Sequence, residues 1–186
     1  MKSNIFSAIK LTLVCLIFFM VIYPLILFGI AQLSPNNGKG NIIEQDGKIY
    51  YSNIGQTFTD DKYFYSRPSA VGYNAAGSGG SNKGPSNPQY LEEVKARIDT
   101  FLFHNPGINK SEIPSELVTA SGSGLDPNIS VAAANVQVKR IALVRNLQEA
   151  DLYTLIENNT EKPLFGVFGT EKINVLKLNL ELDNLK

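Results

Sequence analysis

The chain has 186 residues, a length that suits one domain of ordinary size and leaves room for something extra. Its 17 basic and 17 acidic side chains cancel, so nothing indicates the basic patch that nucleic acid binding requires, and no nucleic acid partner is expected. A single cysteine, Cys15, excludes a disulfide framework and a thiolate metal site, and a single histidine, His104, excludes a histidine-pair metal site.

The extra part is at the N-terminus. From Leu11 to Leu33, LTLVCLIFFMVIYPLILFGIAQL carries no charge, and the next charged residue is Lys39. As a helix this stretch would reach roughly 34 Å, against about 30 Å for a bilayer hydrocarbon core. A cleaved signal peptide would also begin with Lys2 and Lys10, and Gly29-Ile30-Ala31 resembles a small-x-small cleavage site. The apolar run exceeds the usual signal length, and no other stretch is apolar enough to surround it as a core helix, so a membrane anchor is the favoured reading. Cys15 is then a small membrane-facing residue. Pro24 is tolerable in a bilayer helix and predicts a kink. Pro24 and Gly29 are the shape features through which this helix would pack on a partner, with lipid covering the rest.

Lys2 and Lys10 precede the span, whereas Lys39 and Lys48 after it are diluted by Glu44 and Asp46. The positive-inside rule therefore predicts a single-pass protein of the cell (inner) membrane. Residues 1–10 would be cytoplasmic, 11–33 transmembrane, 34–40 (SPNNGKG) a flexible tether, and 41–186 extracytoplasmic. The fold class expected is one N-terminal transmembrane α-helix followed by a mixed α/β (α+β) extracytoplasmic domain.

In that domain, Asp46-Gly47 between IIEQ and KIYYS is a two-residue hairpin signal. Residues 56–67 are rich in aromatics (Phe58, Tyr63, Phe64, Tyr65) and should pack one edge of the core. Asn87-Pro88 opens a helix in which Leu91, Val94, Ile98, Phe101 and Leu102 recur at helical spacing. Ser130 can cap a second helix, VAAANVQVKRIALVRN, that exposes Lys139, Arg140 and Arg145. A third, near Gln148 to Glu157, gathers Leu152, Leu155 and Ile156 on one face. In the closing VLKLNLEL, Leu176, Leu178, Leu180 and Leu182 alternate with polar residues, and period two predicts a strand.

Catalytic constellations are scarce. His104 precedes Asn105-Pro106 at a helix end, where capping or solvation is the common role. Ser121 and Ser123 do not fall in G-x-S-x-G. Asp60-Asp61 and Glu92-Glu93 read as solvated pairs. No catalytic, cofactor-binding or metal residue is assigned.

Sixteen of the 23 residues from Ser66 to Pro88 are Gly, Ser, Asn or Pro. Such a stretch can cradle phosphate, tether two domains or form a fixed surface loop. The phosphate reading fails in detail: Gly79 to Gly84 has G-x-x-x-x-G spacing, but Pro85 stands where lysine is needed. A fixed loop is favoured, with Arg67 and Asn74 hydrogen-bonding across it and Asn87-Pro88 anchoring its exit. Its docking candidates are Arg67, Asn74, Gly77, Gly79, Gly80, Ser81 and Asn82, together with Thr119, Ser121, Ser123 and Asp126 in TASGSGLD.

The ordered segments VIYPLILFG, GQTFTDDKYFYSRPSA, GSGGSN, SNPQY, PSELVTASGSGLDPNIS, VRNL and VLKLNLELDNL closely resemble the C subunit of the Kdp-type potassium-transporting ATPase. The resemblance covers nearly the whole chain in order. It implies a complex with a channel-like potassium-translocating subunit, a P-type ATP-hydrolysing subunit and a small single-helix subunit. That complex uses ATP, Mg2+ and potassium, none bound directly by this chain. Where the family commonly has a proline before VRNL, this chain has Val138, so that helix is expected to run on. The expected role is assembly and potassium entry, non-catalytic by itself. The alternative the family implies is a catalytic chaperone that raises the ATP affinity of the hydrolysing subunit. A second alternative is an independent anchored binding module.

Overall fold

A computed structural model describes residues 2–45 and 47–185. Asp46 of the hairpin turn and the side chain of Lys2, on which the topology reading partly rests, lie outside the described residues. The chain divides into two compact units, Met1–Tyr51 and Ser52–Lys186.

In the first unit, α1 (Lys2–Ile17) runs through a π-helical turn (Phe18–Ile22) into α2 (Tyr23–Ala31). Proline 24 explains the π turn. Its ring would collide with the carbonyl of Met20 and it has no N–H to donate, so a locally widened helix relieves both problems. Asn4–Ala31 is long and apolar enough to cross a membrane, about 42 Å at helical rise. Residues 34–40 carry a local turn: Ser34 Oγ donates to Ala31 O at 2.7 Å, and Asn36, Asn37 and Gly38 take positive φ. The hairpin follows as β1 (Ile42–Gln45) and β2 (Lys48–Tyr51), antiparallel with Gln45 opposite Lys48. Gly47 at φ 71° supplies the left-handed residue that such a tight turn demands.

The second unit is mixed α/β. Helix α3 (Pro88–His104) starts as its sequence predicts, with the Asn87 side chain accepting from Tyr90 N. After it come β3 (Asn128–Ile129), α4 (Val131–Asn135), α5 (Val138–Arg145) and α6 (Glu149–Asn158). Strands β4 (Thr160–Glu161) and β5 (Lys172–Asn174) precede α7 (Val175–Asn184). A small antiparallel sheet in the order β3-β5-β4 pairs Ile173 with both Ile129 and Thr160. Phe64, Ile129, Val138, Ile141, Leu152, Ile156, Ile173, Leu178 and Leu182 form the centre of the core.

Two expectations are overturned. The closing segment is helix α7, not a strand. Val175, Leu178, Asn179 and Leu182, spaced i, i+3, i+4, i+7, form a buried stripe that Leu176 widens, while Lys177 and Glu181 share the exposed side. Asn174 caps it, accepting from Lys177 N at 3.1 Å. Five apolar residues in eight satisfy both periods, and the cap decides. The second helix also breaks, although no proline is present. Ser130 caps α4 as predicted, but Gln137 ends the run. Its side chain Nε2 donates to Ala133 O at 2.9 Å, while its backbone N–H goes to Ala134 O instead. The buried amide thus takes the carbonyl that would continue the α ladder.

Candidate functional site

The two glycine-rich loops named from the sequence lie against each other. Gly79 N donates to Ser123 O at 2.7 Å, Ser121 N to Pro68 O at 3.1 Å, and Ser78 Oγ to Ser123 O at 2.9 Å. Ser69 Oγ is a hub: it donates to Gly124 O at 2.6 Å and accepts from the backbone N–H groups of Val71 and Tyr73. Arg67 Nη1 meets Asp126 Oδ2 at 2.9 Å. Such close approach requires glycine. A Cβ at Gly124, already at φ 68°, would lie 2.5 Å from Val71 Cγ2 and 2.6 Å from Gly79 O, and one at Gly80 would lie 3.0 Å from Gly122 O.

The remaining candidates divide between frame and surface. Ser121 is buried and its Oγ accepts from Gly124 N; Asp126 Oδ1 accepts from Asn128 N, and Thr119 Oγ1 donates to Ser115 O. Asn74 does not bond across the loop but closes a local turn, accepting from Ala76 N at 3.0 Å. Gly77 is exposed with open space where a Cβ would go, Ser81 is half-buried, and Asn82 is exposed at φ 52°. Pro24 and Gly29 are exposed on the N-terminal helix, and Gly29 also has open space beside it.

Beside this pair runs an irregular strap, residues 61–65, and here the sequence reading missed the main residues. Arg140 is 4 % exposed rather than solvated. Its Nη1 donates to the carbonyls of Asp61 and Tyr63, Nε to Asn105 Oδ1 at 3.0 Å, and Nη2 to Gln137 Oε1 at 2.8 Å. The guanidinium lies 3.9 Å from the Tyr65 ring centroid. Gln137 Oε1 also accepts from Tyr65 N, and Asn179 bonds both the N–H and the carbonyl of Phe64. A strap outside any ladder must find partners for its buried backbone, and these side chains supply them. Arg145 is likewise engaged, through Nε to Lys62 O at 2.8 Å and in an ion pair with Asp183. No apolar stripe marks Arg140 in the sequence: it stands two residues from Val138 on a different side of the helix, and it is buried because α5 is covered at Val138, Arg140, Ile141 and Ala142 alike.

Asp61 and His104 also depart from the solvated reading. His104 Nδ1 lies 2.8 Å from Asp61 Oδ1, and the Tyr65 hydroxyl donates to the same oxygen. The Tyr65 hydrogen bond, aided by His104 and Arg140, holds the Asp61 carboxyl below its ordinary value. Burial first, then the Asp61 contact, pushes Tyr65 up to about 12. Both donors converge on one carboxylate oxygen, so the cluster is a hub centred on an acid. A nucleophile relay would instead place the imidazole between acid and hydroxyl. Glu93, in the other acidic pair, bonds Lys83 at 2.6 Å.

The chain matches the family model described as K+-transporting ATPase, c chain, over residues 5–184. It is 56% identical over 185 residues to a potassium-transporting ATPase KdpC subunit of Flavobacterium psychrophilum, covering 99% of this chain and 100% of that protein. It is 53% identical over 188 residues to the corresponding subunit of Bacteroides thetaiotaomicron, with 99% and 100% covered. With that of Caldanaerobacter subterraneus it shares 49% identity over 184 residues, 98% and 95% covered. The chain belongs to the KdpC family, the c chain of K+-transporting ATPases.

Proposed function

We propose that the chain is an accessory subunit of a high-affinity, ATP-driven potassium import complex, needed for its assembly and for potassium uptake. Its helix crosses the inner membrane with the N-terminus cytoplasmic, and the second unit works outside, docked on the potassium-translocating subunit. The observation that carries this reading is the interlocked loop pair. Hydrogen bonds of 2.6–3.1 Å, from backbone N–H groups and the Ser69 hydroxyl to backbone carbonyls, fix an irregular surface without a strand or helix, as binding loops on a rigid scaffold require. Family membership supports the transport context.

Purification of the tagged full chain from its native membrane tests the subunit reading. It should bring down the channel-like, ATP-hydrolysing and small single-helix subunits; recovery of the chain alone would overturn it. Protease added to intact spheroplasts should digest the second unit, and complete protection would reverse the topology. Gly29 has open space around it in this chain, so Gly29→Leu leaves the chain's own fold alone. It should weaken complex recovery if this face packs on a partner helix; unchanged recovery would assign the face to lipid.

A further inference from the structure

Between β4 and β5 the chain projects a hairpin tip, Pro163–Gly169, whose large side chains are turned outward. Leu164 is 64%, Phe165 85%, Val167 76% and Phe168 68% exposed. No charged residue occurs from Pro163 to Thr170. The tip is ordered by its own backbone: Leu164 N donates to Phe168 O at 3.0 Å, Gly166 N to Pro163 O at 2.9 Å, and Val167 N to Leu164 O at 3.2 Å. Phe165 and Gly166 take successive positive φ of 54° and 74°, a turn that favours Asn-Gly or Asp-Gly. A bulky phenylalanine in the left-handed region is a poor choice for the turn. At 85% exposure it does little for the core either. Its identity therefore answers to something outside the chain.

We propose that this tip is an apolar anchor that inserts into an apolar pocket of another protein subunit of the transport complex. The proposal rests on the subunit reading above and adds the contact element and its chemistry. A lipid surface fits less well. The base of the tip carries Glu161, Lys162, Glu171 and Lys172, two of each sign, and Lys172 and Lys177 each lie 3.5 Å from Glu161. Lysines paired with a neighbouring carboxylate are poorly placed to meet phosphate headgroups, and the segment 160–174 has no Trp or Tyr to sit at an interface. An apolar centre inside a charge-balanced rim is instead the anatomy of a protein–protein contact.

Area argues against a second copy. The four side chains present on the order of 400–500 Å2 of apolar surface, below the ~800 Å2 per partner of a free-standing specific interface. A contact of this size serves as one anchor in an assembly already held by other contacts. The bilayer-length helix of the same chain supplies such a constraint, raising the effective concentration of the tip at a membrane partner.

The test uses the full chain expressed with the other subunits in its native membrane, with a photoreactive phenylalanine analogue at position 165. A companion double variant, Phe165→Asn with Val167→Ser, removes the two most exposed of the four apolar side chains while giving the left-handed position a residue that suits it. Irradiation should yield a crosslink to another subunit, identified by mass spectrometry. The double variant should melt at the wild-type temperature or slightly above it, yet recover the other subunits several-fold less well. Crosslinks to lipid alone, to a second copy of the chain, or to nothing would each overturn the proposal, as would wild-type recovery of the complex by the double variant. If the unmodified chain recovers no other subunit, the subunit reading falls and takes this one with it; if it recovers them and the tip yields no crosslink, only the anchor falls.

Discussion

The strap at 61–65 and the loop pair at 66–81 and 119–126 are both irregular, yet they are held in opposite ways. The strap is fixed by buried side chains reaching in from helices: Arg140 and Gln137 from α5 and its N-cap, Asn179 from α7. The loop pair is fixed largely by backbone groups and small hydroxyls, with glycine allowing the chains to touch. A side-chain scaffold concentrates its stability in a few residues, whereas a backbone scaffold leaves exposed positions open to change without loss of shape. The second arrangement suits a surface that partners read.

The largest expected effect lies in the strap. Arg140→Leu removes the donor to the Asp61 and Tyr63 carbonyls and strands the Asn105 acceptor, while Gln137 Oε1 keeps only the Tyr65 N–H. Chemical denaturation should show a loss of about 3–5 kcal/mol. A loss below 1 kcal/mol would mean that solvent reaches these carbonyls and the strap is not held as described. Gly124→Ala comes next: a positive φ and a Cβ pressed against Val71 and the Gly79 carbonyl should cost about 2–4 kcal/mol by the same measurement. Were it neutral, the loops would not be interlocked.

A smaller effect depends on pH. Asp61 has a lowered folded pKa, so its contribution is present above the unfolded value near 3.9 and is lost as pH falls through the folded value. Tyr65 is raised to about 12, so its contribution is present below the unfolded value near 10 and is lost as pH rises toward 12. Thermal melting across pH should therefore steepen at both ends, and Tyr65→Phe should flatten the alkaline limb and soften the acid one. An alkaline limb unchanged in that variant would remove the hydroxyl–carboxylate bond from the account.

Local capping chemistry explains which elements were legible in the sequence. Asn87-Pro88, Ser130 and Gly47 each mark a boundary through a short-range backbone requirement, and α3, α4 and the first hairpin begin or turn there. Helix α7 was misread because Val175 and Asn179 complete a helical stripe that the leucine alternation obscures. The break at Gln137 depends on an amide whose partners, Tyr65 and Arg140, are supplied by tertiary structure, so no local rule marks it. For the candidate site, composition identified both glycine-rich loops. That Ser69 meets Gly124 and Gly79 meets Ser123 is a matter of packing between segments some fifty residues apart, which composition does not encode. The apolar tip passed unread because a short run with interspersed glycines resembles an ordinary turn until its exposure is known.

The docking claim is tested most directly at Gly77. Its φ is not positive, and a Cβ there meets nothing within 4 Å, so Gly77→Arg changes the loop surface without disturbing the frame. The domain should keep its stability to within about 0.5 kcal/mol, as surface substitutions usually do. The account predicts that, with the chain folded, both recovery of the assembled complex and potassium-stimulated ATPase activity fall several-fold. Full recovery and full activity in a stably folded Gly77→Arg chain would contradict it.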